Sequence, residues 1–559
     1  MLESDDKVAE GGRRAWGHKP WSILCVLLPL GLLVGTGLSG LDFGTHWDEN
    51  EAFLQPLRTA IEEEGLLPHR YNYPSLGFAL SMAALAPEAA ASLGAESGSG
   101  SSFRAKALAL LPSGEEEEAK ATLQQEGPAK SFLLRLRGLF LLACALGVLW
   151  VHLTVLARGG SAVEALLASS ILGLSFEVAY HLRWVAPDGL LMEAGALTLL
   201  FATLAMRRAR PKSWILAAAV AAGLGCASKY PGGLLLIPAS LAALHPGLAG
   251  GRISAQALRR GALWVLAVVV VFAAVFTIVT PGVLLDSDKF WADVRFERTH
   301  YTQGGHGPYT VAAGWEHLIL NLRYLGFQGL SHYPLLAMGL ALLALLGAWR
   351  LWAEDRWSAA LLTFLPLAHL AYMSSVRVFL VRNLLVLLPF MAILAARGGA
   401  WLLEKSPADK RAWLAGLLLG VLYLTNGSML IGSARSIGEV WPDQALQELA
   451  ADLHQRSEEQ VYLAPSIRQA LADQGLDQGL DRLVDQLSPD VTSVVVHSKN
   501  GIGGGANMSW GFHPGFIDWY GSREVNFAYY PTWVADKLVW VSVRALAEHD
   551  LYVRQPPSK

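Results

Sequence analysis

The chain has 559 residues, of which 53% are hydrophobic and only 16% charged, against about 25% charged in ordinary soluble proteins. So much apolar surface cannot all enter compact soluble cores, which excludes a string of three or four soluble domains of ~150 residues each. A net charge of −3 excludes a globally basic nucleic-acid binder.

Taken in chain order, the apolar runs read as membrane spans, each needing about 20 residues. Residues 1–20 form a polar tail expected on the cytoplasmic side. The run 20–41 is too long for a cleaved signal and lacks a clear cleavage site, so it is read as a helix. Further runs free of Asp, Glu, Lys and Arg are 138–157, 230–251, 261–285, 324–349, 357–376 and 412–434. Interrupted or shorter runs lie near 162–180, 187–206, 213–228 and 383–396. The sequence thus predicts a polytopic α-helical membrane protein with about eleven transmembrane helices over residues 21–432. The three cysteines, Cys25, Cys144 and Cys226, fall inside these runs and read as small buried apolar residues.

Loop charge orients the spans. With the N-terminus inside, the inner segments hold 18 Lys/Arg and the short outer loops 8. Arg207, Arg208, Arg210 and Lys212 form the clearest anchor. Three large segments then face outward. The loop 42–131 contains an Ala-rich stretch at 76–92, read as an interfacial helix, a Gly/Ser patch at 94–102 and the acidic run Glu115–Glu118. The loop 281–331 is rich in Gly, His and aromatics. The tail 433–559 has 26 charged residues in 127 and reads as alternating helices and strands, with strands at 460–464 and 492–497. A small extracytoplasmic α/β domain is expected there.

Ionisable groups at the membrane edge are costly and mark function by default. Here they collect on the outer side: Asp48, Glu49 and Glu51 after the first span; His181, Arg183 and Asp188 between the third and fourth; Lys229 in a short turn; Arg377 and Arg382 before a late span. Carboxylates serve as bases, and Lys and Arg hold phosphate. A site at the outer leaflet has no ready access to cytoplasmic nucleotides, so a lipid-linked phosphate donor suits it better. Each residue also has a plainer reading. Asp48 and Glu49 fit an acidic pair at a helix N-terminus, Asp188 fits an N-cap, and Lys229 fits a snorkelling side chain. Glu193, one turn below Asp188, is equally a structural partner for a neighbouring polar group.

Five short stretches carry a resemblance. Gly44-Thr45-His46-Trp47-Asp48-Glu49 resembles the acidic first-loop motif of the GT-C glycosyltransferases, nearest to the protein O-mannosyltransferases and bacterial aminoarabinose transferases. Tyr71-Asn72-Tyr73-Pro74-Ser75-Leu76 resembles that family's aromatic-Pro-Leu loop, with Pro-Ser-Leu where many relatives have Pro-Pro-Leu. Pro187-Asp188-Gly189-Leu190-Leu191 resembles its second acidic site, Ser228-Lys229-Tyr230-Pro231-Gly232 its Lys turn, and Arg382-Asn383-Leu384 its late Arg-containing span. The resemblance covers roughly residues 20–432. It implies a GT-C fold and transfer of a sugar from a polyprenyl-phosphate donor, with inversion. Asp48 is implied as the base, assisted by Glu49, with Asp188 the second carboxylate near the sugar. Tyr73, Arg183, Lys229 and Arg382 are expected to bind substrate. The Ala/Leu/Gly-rich composition points to the bilayer of a bacterial inner membrane as the setting.

The acceptor, whether lipid, glycan or protein, is left open by these motifs. No metal-ligand spacing appears and no cofactor is expected, although members of the resembled family differ in their use of a divalent metal. Gly501–Gly505 lacks dinucleotide-binding spacing and reads as a loop. The alternative from another class is a lipid or glycan transporter or flippase without transferase activity. That reading expects charges along a path through the membrane and paired broken helices, whereas the charges here gather at one face and no halves repeat.

Overall fold

The computed structural model describes residues 20–42, 47–93, 103–113, 118–119, 122–123, 125–185, 187–208, 210–249, 254–304 and 310–436, with short stretches of the tail beyond. The N-terminal tail before residue 20, the first part of the Gly44–Glu49 motif, the patch 94–102 and the loop Gly501–Gly505 lie outside the described residues. The chain divides into two compact units. The first is Met1–Leu41, Asp48–Gly304 and Val311–Leu430; the second is Asp42–Trp47, Gly305–Thr310 and Ile431–Lys559.

The first unit is a bundle of long apolar helices. They are α1 (Leu27–Ser39), α2 (Pro128–Arg158), α3 (Ala162–Gly173), α4 (Pro187–Arg207), α5 (Pro211–Ser228), α6 (Leu236–Leu248), α7 (Ala255–Val279), α8 (Pro334–Glu354), α9 (Arg356–Ser375), α10 (Leu388–Lys405) and α11 (Arg411–Leu422). Their starts follow helix-entry chemistry. Proline opens α2, α5 and α8, where its missing N–H costs nothing. Ser161 caps α3 by accepting from the Glu164 N–H, and Asp355 caps α9 by accepting from the Ser358 N–H. Gly159, at φ 94°, ends α2 in the left-handed conformation that glycine tolerates best.

Among the described residues, nine helices are long and apolar enough to cross a membrane. The sequence predicts about eleven, and the difference has a local cause. The run 162–180 is broken at Leu174-Ser175. There Ser175 caps a second short helix, Phe176–His181, while its Oγ donates to the Gly329 carbonyl at 2.9 Å. That leaves α3 at 12 residues, or about 18 Å, well short of the ~30 Å hydrocarbon core. The run 213–228 forms α5, whose 18 residues begin with Pro211 and Lys212. α5 packs against both α4 and α7. A Cβ on Gly223 would stand 3.0 Å from the Phe272 carbonyl oxygen of α7.

α2, α4 and α10 are the most enclosed spans, and α7 is largely exposed along its length, with Leu263, Leu266, Val270 and Ile278 turned outward. The stretch 76–92 forms two eight-residue helices, Leu76–Ala83 and Ala86–Leu93, each about 12 Å long and too short to span. The loop 281–331 contributes the helices Ser287–Gln303 and Trp315–Phe327.

Within the second unit, the described residues include five strands: β1 (Val461–Leu463), β2 (Leu483–Val484), β3 (Ser493–His497), β4 (Asn526–Phe527) and β5 (Leu538–Ser542). They form one mixed sheet in the order β2-β1-β3-β5-β4. β1 runs parallel to β2 and β3, and β5 runs antiparallel to β3 and β4. Parallel neighbours need crossover connections, as in an α/β arrangement.

Candidate functional site

Four chain segments meet at one end of the helical bundle. Asp48 follows α1, on a helical turn that continues as the π-helical segment Asn50–Leu54. Asp188 lies in the first turn of α4, directly after Pro187, where the helix dipole favours a carboxylate. Lys229 is the extended residue that closes α5, at φ −153°. Arg382 stands in the 3₁₀ turn Val381–Leu387 that leads into α10. Such departures from α geometry recur at functional sites because they redirect side chains that a regular helix would aim elsewhere.

The turn at Lys229 is fixed by glycine. The Gly232 N–H donates to the Lys229 carbonyl at 2.8 Å. A Cβ on Gly232 would sit 2.4 Å from the backbone of Gly225. Only glycine allows the chain to double back against α5 so closely.

The four charged side chains form one buried group, with exposures of 1% for Asp48, 2% for Asp188, 4% for Lys229 and 2% for Arg382. Arg382 Nη1 donates to Asp48 Oδ2, and its Nε lies 3.7 Å from Asp188 Oδ2. Lys229 Nζ donates to Asp188 Oδ1 at 2.6 Å and to Asn383 Oδ1 at 2.6 Å. The order Asp48–Arg382–Asp188–Lys229 alternates in sign and sums to zero, as burial requires. Two aromatics wall it. The Tyr73 hydroxyl donates to Asp48 Oδ1 at 3.3 Å, and its ring lies 5.9 Å from Lys229 Nζ. The Trp184 ring lies 5.5 Å from the Arg382 guanidinium carbon.

Burial pushes the Asp48 carboxyl above the usual carboxylate range, with Arg382 opposing. Burial alone would lower the Lys229 ammonium, but Asp188 outweighs it and the net shift is upward. Burial and the neighbouring Asp48 carboxylate drive the Tyr73 phenol well above its ordinary value. Lys229 is therefore a fixed cation and Tyr73 a fixed donor at neutral pH. Asp48 is thus held closer to its protonated form than an exposed aspartate.

The loop that carries Tyr73 is pinned from two sides. From the helix Ser287–Gln303, Asp293 Oδ2 accepts from the Tyr71 N–H at 2.7 Å and Glu297 Oε1 from Asn72 Nδ2 at 2.6 Å. From the other side, the Tyr230 hydroxyl, one residue past Lys229, donates to the Tyr71 carbonyl at 2.6 Å. Asp286 lies 2.8 Å from His69 Nδ1 at the start of the same loop.

The sequence expectations divide at Glu49. The structure brings Asp48, Asp188, Lys229, Arg382 and Tyr73 together, but Glu49 turns to a different partner. Arg137 of α2 grips both its oxygens, Nε at 2.8 Å and Nη2 at 2.5 Å. Arg137 Nη1 also donates to the Leu41 carbonyl at 2.5 Å. Glu49 Oε1 further accepts the Val185 N–H at 3.0 Å. The pair ties the Asp48 turn to α2 and to the loop leading into Asp188. Both its oxygens are engaged there, which suits a brace better than a reacting group.

Arg183 lies buried in that loop, where desolvation pulls its guanidinium down to about 10, still protonated at neutral pH. His181 faces Glu177 at 3.5 Å, beside Tyr324 and His332, which bond Glu177 at 2.6 and 2.8 Å. Glu193 accepts from the Trp150 indole at 2.7 Å, the structural partnership considered for it. Arg377 is exposed and donates to the Gln303 carbonyl.

Sequence reasoning passes over Arg137, Trp184 and His369, and gives Asn383 no role beyond its place in the Arg382 motif. Arg137 sits where an apolar run begins and looks like an ordinary boundary charge. His369 Nε2 donates to the Asn383 carbonyl at 2.8 Å from the middle of a span, and only its position inside an apolar run could have drawn notice. Among the described residues, no three His, Cys, Asp or Glu side chains are grouped to hold a metal ion.

Fold and cluster together define an integral membrane protein with a buried, charge-balanced site at one end of its helices. Residues 133–279, about a quarter of the chain, match the model of the dolichyl-phosphate-mannose-protein mannosyltransferase family. That stretch contains Arg137, Asp188 and Lys229, but not Asp48, Tyr73 or Arg382. No curated protein matches the chain in sequence. Among solved structures, ArnT from Cupriavidus metallidurans in the apo state is 13% identical, with a TM-score of 0.42, covering 94% of this chain and 98% of ArnT. The same protein bound to undecaprenyl phosphate is 12% identical, with a TM-score of 0.42, covering 95% and 99%. The oligosaccharyltransferase AglB from Archaeoglobus fulgidus, in complex with an inhibitory peptide and a dolichol-phosphate, is 12% identical, with a TM-score of 0.46, covering 85% of this chain and 60% of AglB.

Proposed function

We propose that this chain is a membrane glycosyltransferase that moves a sugar from a polyprenyl-phosphate donor to an acceptor hydroxyl on the extracytoplasmic face. The observation that carries the reading is the buried group itself: two carboxylates, Asp48 with its pKa raised by burial, held against two cations suited to a phosphate. The family match over 133–279 supports it.

In the proposed reaction, Asp48 takes the proton of the acceptor hydroxyl as that oxygen attacks the anomeric carbon. The bond from that carbon to the phosphate oxygen breaks, and its electron pair leaves with the polyprenyl phosphate. Attack opposite the leaving group inverts the anomeric centre. Lys229 and Arg382 receive the growing negative charge, which makes a separate general acid unnecessary. Asp188 holds Lys229 and Arg382 in register and faces the developing positive charge on the sugar. Tyr73 orients Asp48, and the buried Arg183 adds a further cation in the loop beside Asp188.

The direct test uses purified protein and a polyprenyl-phosphate sugar. Asp48→Asn should lower transfer by at least a thousandfold while the melting temperature stays within a few degrees. Transfer at the normal rate by a folded Asp48→Asn protein removes Asp48 as base. Mass spectrometry of glycoconjugates in a deletion strain identifies the product, and unchanged glycoconjugates with active lipid transport would favour the flippase reading. The orientation rests on the Lys/Arg asymmetry of the loops. Asp288 is exposed at the site end, so an impermeant maleimide should label Asp288→Cys from outside intact cells.

A further inference from the structure

Asn383 lies beside Arg382 in the 3₁₀ turn before α10 and is 5% exposed. Its Oδ1 accepts from Lys229 Nζ at 2.6 Å. An ammonium has only donors, so the amide oxygen must face it and the amide nitrogen must point the other way. That nitrogen, Nδ2, is buried and has no hydrogen-bond partner among the described residues. A buried N–H left unpaired costs stability, and most such groups in native proteins are satisfied. The backbone around it is held firmly: His369 donates to the Asn383 carbonyl at 2.8 Å, and the Asn383 N–H bonds the Leu380 carbonyl at 3.0 Å. The amide is thus fixed in place while one of its donors is unused.

We infer that Asn383 is a second contact for the donor's phosphate and a positioning residue for Lys229. The inference rests on the glycosyltransferase reading above and adds to it a residue and a role. The missing partner must be an acceptor, because Nδ2 can only donate. It must fit beside Lys229 and Arg382, which select an anion over a neutral carbonyl or hydroxyl. A phosphate oxygen meets both demands. One carboxamide then does two things: its oxygen holds the Lys229 ammonium in place, and its nitrogen donates to the same anion that Lys229 neutralises. Asp188 also holds Lys229 at 2.6 Å, so two acceptors keep the cation in place as the anion arrives.

The test measures binding of undecaprenyl phosphate to the full chain in nanodiscs. Asn383→Asp preserves shape and keeps an oxygen toward Lys229, but it replaces the N–H donor by a carboxylate oxygen. Binding should weaken by about ten- to a hundredfold at neutral pH, the worth of a hydrogen bond to a charged group. Relative to wild type, binding should recover as the pH falls and the introduced carboxyl regains a proton to donate. A merely structural role would not produce that recovery. Asn383→Ala, which loses both contacts, should bind weakly at every pH, and it serves alone should Asn383→Asp fail to fold. Wild-type affinity in either folded variant overturns the inference, as does a loss in Asn383→Asp that persists at low pH. Failure of the glycosyltransferase reading looks different, because then the wild-type chain transfers no sugar from a polyprenyl-phosphate donor, whatever the Asn383 variants do to binding of undecaprenyl phosphate.

Discussion

Asp48 is subject to two opposed influences. Burial raises its pKa and Arg382 lowers it, with burial the larger. On the proposed reading Asp48 is the base and acts only when deprotonated, so transfer should fall as the pH drops through this raised value, above the ~3.9 of an unperturbed aspartate. A donor phosphate that engages Arg382 removes part of the downward pull and adds a like charge nearby. The acid limb of kcat, which reports the loaded enzyme, should therefore lie at higher pH than that of kcat/KM. Coincident limbs would show that Arg382 does not couple the two events. Glu49 belongs to a different prediction. Glu49→Gln leaves Arg137 buried against a neutral amide, and breaking a buried pair costs about 3–5 kcal/mol. Its melting temperature should drop by several degrees, and by more than that of Asp48→Asn, because Glu49 also accepts the Val185 N–H whereas Arg382 retains Asp188 3.7 Å away. Equal stability of the two variants would contradict the assignment of Glu49 as a brace. The residue types at 48 and 49 did not distinguish these roles. Both are acids after a span, and only the position of Arg137, 88 residues away, separates them.

At the scale of elements, the site is built where helices depart from regular geometry. Lys229 precedes the 3₁₀ turn Tyr230–Leu235, Arg382 lies inside another, and Asp48 adjoins a π turn. The short apolar runs and their Pro and Gly residues announce the breaks, so the turn at 228–232 is legible in sequence. The pinning of the Tyr73 loop is not, because it depends on acids of the helix Ser287–Gln303 more than 200 residues later. The tight turn gives a sharp expectation. Gly232→Ala must push its Cβ into the Gly225 backbone, which cannot retreat. The variant should lose about 1–3 kcal/mol and lose donor binding through displacement of Lys229. A crowding effect confined to stability, with donor affinity retained, would mean that the turn does not set the position of the lysine.

Over the whole molecule, the membrane character was plain from composition, and the spans emerged from apolar runs nearly where the helices lie. The count differed where the sequence shows only a continuous run. Ser175 ends α3 through a cap and a bond to Gly329, a contact 154 residues distant that no local pattern reveals. The charged site and all its described partners fall within the first compact unit. A chain ending after Ser436 should therefore still insert and bind undecaprenyl phosphate with an affinity within about threefold of the full chain. Loss of that binding would assign the tail a part in holding the donor.

The alternating chain Asp48–Arg382–Asp188–Lys229 has a consequence for turnover. On the proposed reading each cation of the group already has a carboxylate partner, so the incoming phosphate must compete with one. After transfer the balance reverses. Once Asp48 has passed its proton to solvent, it is again an anion beside Arg382, and it competes with the spent lipid phosphate for the same guanidinium. On the proposed reading, the carboxylate that begins each cycle as a base ends it by helping to eject the product.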